Sequence, residues 1–224
     1  MWSEEEGNFV RHFFLFAWAM LFGINALLAD DCDFIREALK TKNTVLIPDG
    51  TYICSSPIVL DRNGISLRGE GPGVPKLKLA DHANTPLIVI GPIDTHNRVE
   101  YISLKNLSLD GNQENQDMEC WGSLDCTGGE RTQLRNNALT IRYASHIYIR
   151  DIETKNARSG GLVIERDSND VRVTNLDTHH NYFDGFASCS RTKRSCWFQI
   201  GLRSSATDLV IWRMWSSGRW PDCS

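Results

Sequence analysis

The chain has 224 residues, enough for one domain with a sizeable core. Its 24 Lys and Arg against 28 Asp and Glu leave a net charge of −4, and no basic stripe stands out along the sequence. Nucleic acid is therefore excluded as an expected partner, because phosphate binding needs clustered Lys and Arg.

At the N-terminus, Arg11 and His12 precede an apolar run from Phe13 to Ala29, followed by Asp30-Asp31. This pattern predicts a signal peptide over 1–29 and a secreted, periplasmic or cell-surface protein. Glu4, Glu5 and Glu6 are unusual in such a leader, and Leu27 is not the small residue preferred near a cleavage site. The alternatives are an uncleaved membrane anchor near the short limit of a spanning helix, or a downstream start at Met20. Membrane contact is expected only through this segment. The seven cysteines suit export. Cys32 with Cys54, and Cys120 with Cys126, are candidate disulfide pairs, and neither pair has the spacing of a zinc site.

A short helix is predicted over 33–40. Asp31 or Asp33 can cap it, and Phe34, Ile35, Ala38 and Leu39 form one apolar stripe. Strands follow at Val45–Ile47, Pro57–Leu60, Gly64–Gly69, Lys76–Leu79 and Pro86–Gly91, separated by turn residues such as Pro48-Asp49-Gly50. Val99–Leu109 has a corner at Asn106. Asp110 to Asn136 interrupts the pattern and reads as an insertion projecting from one edge.

From Asn137 to Phe186 the sequence repeats. Leu139 maps to Leu162, Ile147 to Val171, Ile149 to Val173, Asp151 to Asn175, Ile152 to Leu176 and Thr154 to Thr178, at an offset of 23 or 24 residues. A period in that range marks a solenoid. The apolar residues alternate and many are β-branched, so the coils are strands rather than helices. Asp151, Asn175 and Asn106 take equivalent corners, where Asn and Asp tolerate turn conformations. The expected fold is an all-β, right-handed parallel β-helix over 30–188, closed at one end by the short helix. From about Ser188 the repeat vanishes. Residues 189–224 read as an atypical tail, either the product of a frameshift near Ala187 or Cys189 or a cover for the open end.

The run Val45-Leu46-Ile47-Pro48-Asp49-Gly50-Thr51-Tyr52, with Gly64-Ile65-Ser66-Leu67-Arg68-Gly69-Glu70-Gly71, resembles the opening of pectate-lyase-like right-handed β-helix proteins. The helix at 33–40 stands where that superfamily carries its capping helix. The resemblance covers about 30–188 and implies a carbohydrate-active protein, but one fold hosts lyases, hydrolases, epimerases, esterases and phage spikes.

The richest polar corners are Lys155-Asn156-Ala157-Arg158-Ser159 and, one coil on, His179-His180-Asn181-Tyr182-Phe183-Asp184. Such a set suits uronate chemistry. Lys155, Arg158 and His179 would bind the substrate, the cations neutralising the sugar carboxylate. His180 would remove the C-5 proton, Tyr182 would act as acid, and Asp184 would be a partner or a Ca²⁺ ligand. Tyr182-Phe183-Asp184-Gly185-Phe186 resembles part of the Tyr-containing Asp-Gly-Phe-Asp-Pro-His stretch of mannuronan C-5 epimerases, although Ala187-Ser188 stands where that family has Asp-Pro, and its His is missing. The Gly-His-Gly of polygalacturonases is not present, nor are the motifs of strict pectate lyases. A carboxylate pair, Asp177 with Asp184, would instead suit a hydrolase. The expected function is lyase or C-5 epimerase action on an acidic polysaccharide by a monomer. The rivals are a non-catalytic polysaccharide-binding or adhesion β-helix and an inactive truncated product.

Overall fold

The computed structural model describes residues 30–71, 75–117, 134–189, 198–203 and 209–214. The expected leader and the Cys120–Cys126 pair lie outside the described residues. Helix α1 (Asp33–Thr41) is followed by strands β1 (Thr44–Ile47), β2 (Thr51–Cys54), β3 (Ile58–Leu60), β4 (Ser66–Gly69), β5 (Lys76–Leu79) and β6 (Ile88–Ile90). Next come β7 (Val99–Glu100), β8 (Ser103–Asp110), β9 (Leu139–Arg142), β10 (Ala144–Lys155), β11 (Leu162–Glu165), β12 (Asn169–His179) and β13 (Phe186–Cys189).

The strands stack in parallel as coils of a right-handed β-helix. β8, β10 and β12 each run through a corner and so serve two faces. The first face orders β1, β4, β8, β10 and β12, and the second carries β2 and β5 alongside the later halves of β8, β10 and β12. A separate sheet of β3, β6, β9, β11 and β13 forms the third face. The repeat holds residue by residue: Ile147 opposes Val171, Ile149 opposes Val173, Ile152 opposes Leu176, Thr154 opposes Thr178, and Leu139 opposes Leu162.

The corner between the first two faces needs a left-handed backbone. Asn106, Asp151 and Asn175 supply it at φ 57, 54 and 55, a conformation that Asn and Asp tolerate better than other side chains. Asn175 Nδ2 donates to Asp151 Oδ1 at 2.6 Å, so the corner is also bonded from coil to coil. Between corners, alternate residues point inward. Ile147, Ile149, Val171, Val173, Leu104 and Leu67 are fully buried in one continuous core.

At the N-terminal end α1 buries Ile35 and Leu39, while Phe34 is partly exposed against the Tyr52 ring. Neither expected residue caps it. Cys32 occupies the N-cap position and makes no side-chain cap bond. Asp31 instead accepts from the Ile53 amide, and Asp33 pairs with Arg36. Asp30 organises this end, accepting from the amides of Cys32 and Ser55 at 2.9 Å and pairing with Arg36. Cys32 and Cys54 form a disulfide, their Cα atoms 5.2 Å apart, that ties the start of α1 to the end of β2.

Beyond Cys189 the sequence reading expects no further coil. The backbone nonetheless adds β14 (Phe198–Arg203) parallel to β12, with Phe198 opposite Val171 and Ile200 opposite Val173. β15 (Leu209–Met214) turns back antiparallel on β14. The signal is short: Phe198, Ile200 and Leu202 alternate with Gln199 and Gly201 in a stretch otherwise rich in Trp, Arg and Ser. The rest of the atypical tail lies outside the described residues.

Truncating Ile149 removes a side chain held between equivalent core residues of two neighbouring coils. Ile149→Ala is expected to lower unfolding stability by about 2–5 kcal/mol, read as a shift of the urea midpoint at unchanged slope.

Candidate functional site

Residues two apart on a strand share a face, and parallel register places them beside their equivalents on the next coil. On the second face this rule brings Ser108, Glu153 and Asp177 into one row, and Asp110, Lys155 and His179 into the next. Glu153 is the centre of the group. Lys155 Nζ donates to its Oε2 at 2.7 Å, the Ser108 hydroxyl donates to the same oxygen, and His179 Nε2 lies 3.1 Å from Oε1. Burial opposes the charge on Glu153. The bonds from Lys155, Ser108 and His179, together with the Lys155 charge, outweigh it and hold the pKa at about 2, against an ordinary 4.5.

The hydrogen bonds set the tautomers. An ionised carboxylate only accepts, so His179 Nε2 carries the proton that it shares with Glu153. In the neutral ring Nδ1 of His179 is then an acceptor. His180 Nδ1 sits 2.6 Å from it and is therefore the donor. This leaves His180 Nε2, on an exposed side chain, with a lone pair that meets no partner among the described residues. His180 occupies a left-handed position, φ 54, where the previous coil has Asn156 at φ 50.

The turns after β10 and β12 are zipped together. Asn181 Oδ1 accepts from the Ala157 amide at 3.0 Å, and Asn181 Nδ2 donates to Thr178 Oγ1 at 3.0 Å. The amides of Tyr182 and Phe183 donate to the carbonyls of Ala157 and Ser159. Gly161 permits the close approach: a Cβ there would lie 2.5 Å from the Gly185 carbonyl oxygen and 2.4 Å from Thr178 Oγ1. Arg158 stacks on the Tyr182 ring, its Cζ 4.8 Å from the centroid, and its buried Nε has no hydrogen-bond partner among the described residues. Tyr182 is 52% exposed and packs edge-on against Phe183.

The six expected residues thus fall into linked parts. Lys155, His179 and His180 form one chain through Glu153, and Arg158 with Tyr182 forms a second pair on the adjoining turns. Among the described residues no hydrogen bond or ion pair joins His180 to Tyr182 or Asp184. Asp184 is exposed, and its backbone carbonyl accepts from Gly161. Asp177 stands in register with Glu153, so the carboxylates that the fold sets side by side are Glu153 and Asp177. Glu153, Asp177 and His179 each bring one ligand-capable atom within 4.8 Å of the others. Lys155 already shares the Glu153 carboxylate and would repel a divalent cation there, and Asp184, expected as a Ca²⁺ ligand, is not in this group. Glu153 is the residue the sequence reading passed over. The offset that maps Thr154 to Thr178 also maps Glu153 to Asp177 and Lys155 to His179, and that was the available signal.

A folded-state pKa depressed in this way adds stability that is full above the unfolded value of about 4.5 and is lost as pH falls towards about 2. Wild-type protein is therefore expected to be more stable than Glu153→Gln at pH 7, with the gap closing between about pH 5 and pH 2. Urea unfolding across that range checks it, and a gap independent of pH would contradict the ion-paired assignment.

The family model described as "Rhamnogalacturonase A/epimerase, pectate lyase-like" matches residues 23–201. No curated protein sequence matches the chain. Among solved structures, the N-terminal fragment of gene product 12 of bacteriophage phi29 is similar at 22% identity with a TM-score of 0.55, over 72% of this chain and 30% of that one. The pre-mature form of the same phage protein is similar at 20% identity with a TM-score of 0.53, over 70% of this chain and 25% of that one. At these identities the likeness is one of fold, and the chain spans less than a third of either phage structure. With a family model covering most of its length and coils that match it in architecture, the chain belongs to the rhamnogalacturonase A/epimerase, pectate lyase-like family of carbohydrate-active parallel β-helix proteins.

Proposed function

We propose that this is an exported enzyme that removes the C-5 proton of a uronate within an acidic polysaccharide, by lyase or C-5 epimerase chemistry. The observation that carries the reading is the chain Glu153, His179, His180, which leaves His180 Nε2 as an oriented proton acceptor on the solvent side. His180 takes the C-5 proton, and the sugar carboxylate receives the electron pair as an enolate. Arg158, stacked on Tyr182, offers guanidinium donors to that carboxylate. In elimination the pair then forms the C4–C5 double bond and expels the C-4 oxygen, which Tyr182 protonates. In epimerisation Tyr182 returns a proton to the opposite face of C-5. The Cys32–Cys54 disulfide supports an oxidising destination outside the cytosol.

A carboxylate-pair hydrolase fits less well. It needs one carboxyl group kept protonated near neutral pH, and Glu153, held at about 2, can serve only as the ionised partner.

The test is turnover of polygalacturonate and polymannuronate, followed by absorbance of the unsaturated product and by proton NMR for inversion. His180→Asn keeps a residue suited to the left-handed backbone but removes the base. It is expected to lower turnover roughly 10²–10⁴-fold, as is Tyr182→Phe. Polyuronate binding without turnover would make this a binding protein, and turnover unchanged in both variants would move the base elsewhere.

A further inference from the structure

We propose that the first face of the solenoid is a second glycan-binding surface, a ladder of Arg68, Lys105 and Arg150 flanked by Tyr148 and Arg172, on which an acidic polysaccharide lies along the axis. The inference rests on the substrate class proposed above. It concerns a different face, because the Glu153 group lies beyond the corner made by Asp151 and Asn175.

The ladder is a product of register. Arg68 opposes Lys105 and Lys105 opposes Arg150, on three consecutive strands of the sheet. Alternation puts their neighbours Leu67, Leu104 and Ile149 in the core, so the three cations share the outer surface. Arg172 stands on the next strand beside Tyr148. Consecutive rungs are about 4.8 Å apart, comparable with the rise of one sugar in an extended glycan. Like charges directly opposite one another repel, and no acid is interleaved in this column.

The charges are unevenly spent. Arg150 Nε lies 3.1 Å from Asp151, and Arg172 Nε lies 3.6 Å from Asp170, which also faces His146. Arg68 and Lys105 have no ion pair or hydrogen bond among the described residues. Lys105 Nζ is instead held over the Tyr148 ring, 4.9 Å from its centroid. Two adjacent unneutralised cations beside an aromatic face match a carboxylate-bearing sugar: the cations meet the acid groups and the ring meets the apolar face of the pyranose. A nucleic acid fits less well, since Tyr148 offers a single stacking platform where single-stranded nucleic acid needs a series of them.

The experiment measures binding of polygalacturonate and polymannuronate oligomers by calorimetry at two salt concentrations. It compares the full chain, Arg68→Gln with Lys105→Gln, Arg68→Lys with Lys105→Arg, and His180→Asn. The double Gln variant is expected to bind at least 10-fold more weakly, with a flatter salt dependence, while turnover of a short oligomer at the second face is unchanged. The charge-conserving pair and His180→Asn are expected to keep the binding. Undiminished binding in the double Gln variant would overturn the ladder alone, as would tighter binding of single-stranded DNA than of either polyuronate. Absence of polyuronate binding by the wild-type chain would overturn it too. Binding that depends on Arg68 and Lys105 in a chain with no turnover would retain the ladder and sink the catalytic reading.

Discussion

Parallel pairing of one coil on the next, in a fixed register, is the constraint on which everything else in this molecule depends. A single coil has no interior. Ile149 is buried only because Leu104 and Val173 stand beside it on neighbouring strands. The same pairing that builds the core stacks the outward side chains into rows, so the surface chemistry is a by-product of the core's register. A slip of one residue would exchange the two sets. The left-handed corners at Asn106, Asp151 and Asn175 resist that slip, because a left-handed backbone suits Asn and Asp far better than the Ile or Leu that a slip would bring there.

The second face shows what this does to electrostatics. Ser108, Glu153 and Lys155 are ordinary polar residues one at a time. Stacked, they make a partly buried carboxylate that stays ionised and fixes the ring beside it. Its value lies in orientation: a permanent acceptor below His179 dictates which nitrogen of His180 is free. The Asn181 bonds and the close approach at Gly161 hold the two turns together, so Arg158 and Tyr182 are presented by backbone that is itself paired.

Much of this was legible in the sequence, for a physical reason. Apolar alternation and corner residues recur whenever a coil is repeated, so Leu139 with Leu162 and Ile147 with Val171 announce their pairing. What stayed hidden depends on contacts between unlike residues. Local propensity puts the helix start at Asp31 or Asp33, whereas the disulfide and the bonds to Asp30 place Cys32 there. Glu153 looks unremarkable until its register with Asp177 and its bond to His179 are known. Arg68, Lys105 and Arg150 are so far apart in sequence that no linear window shows a basic stripe, yet they are consecutive rungs in space. The extra strand at Phe198–Arg203 was obscured by the composition around it.

The central claim is that this site works by proton removal at C-5. The most direct measurement is the fate of H-5 when the wild-type protein acts on a polyuronate in D₂O, followed by NMR of the products. Loss of H-5 into a double bond, or deuterium at C-5 of an inverted sugar, is the predicted result. New reducing ends in which every C-5 keeps its original hydrogen would contradict the account and point to hydrolysis.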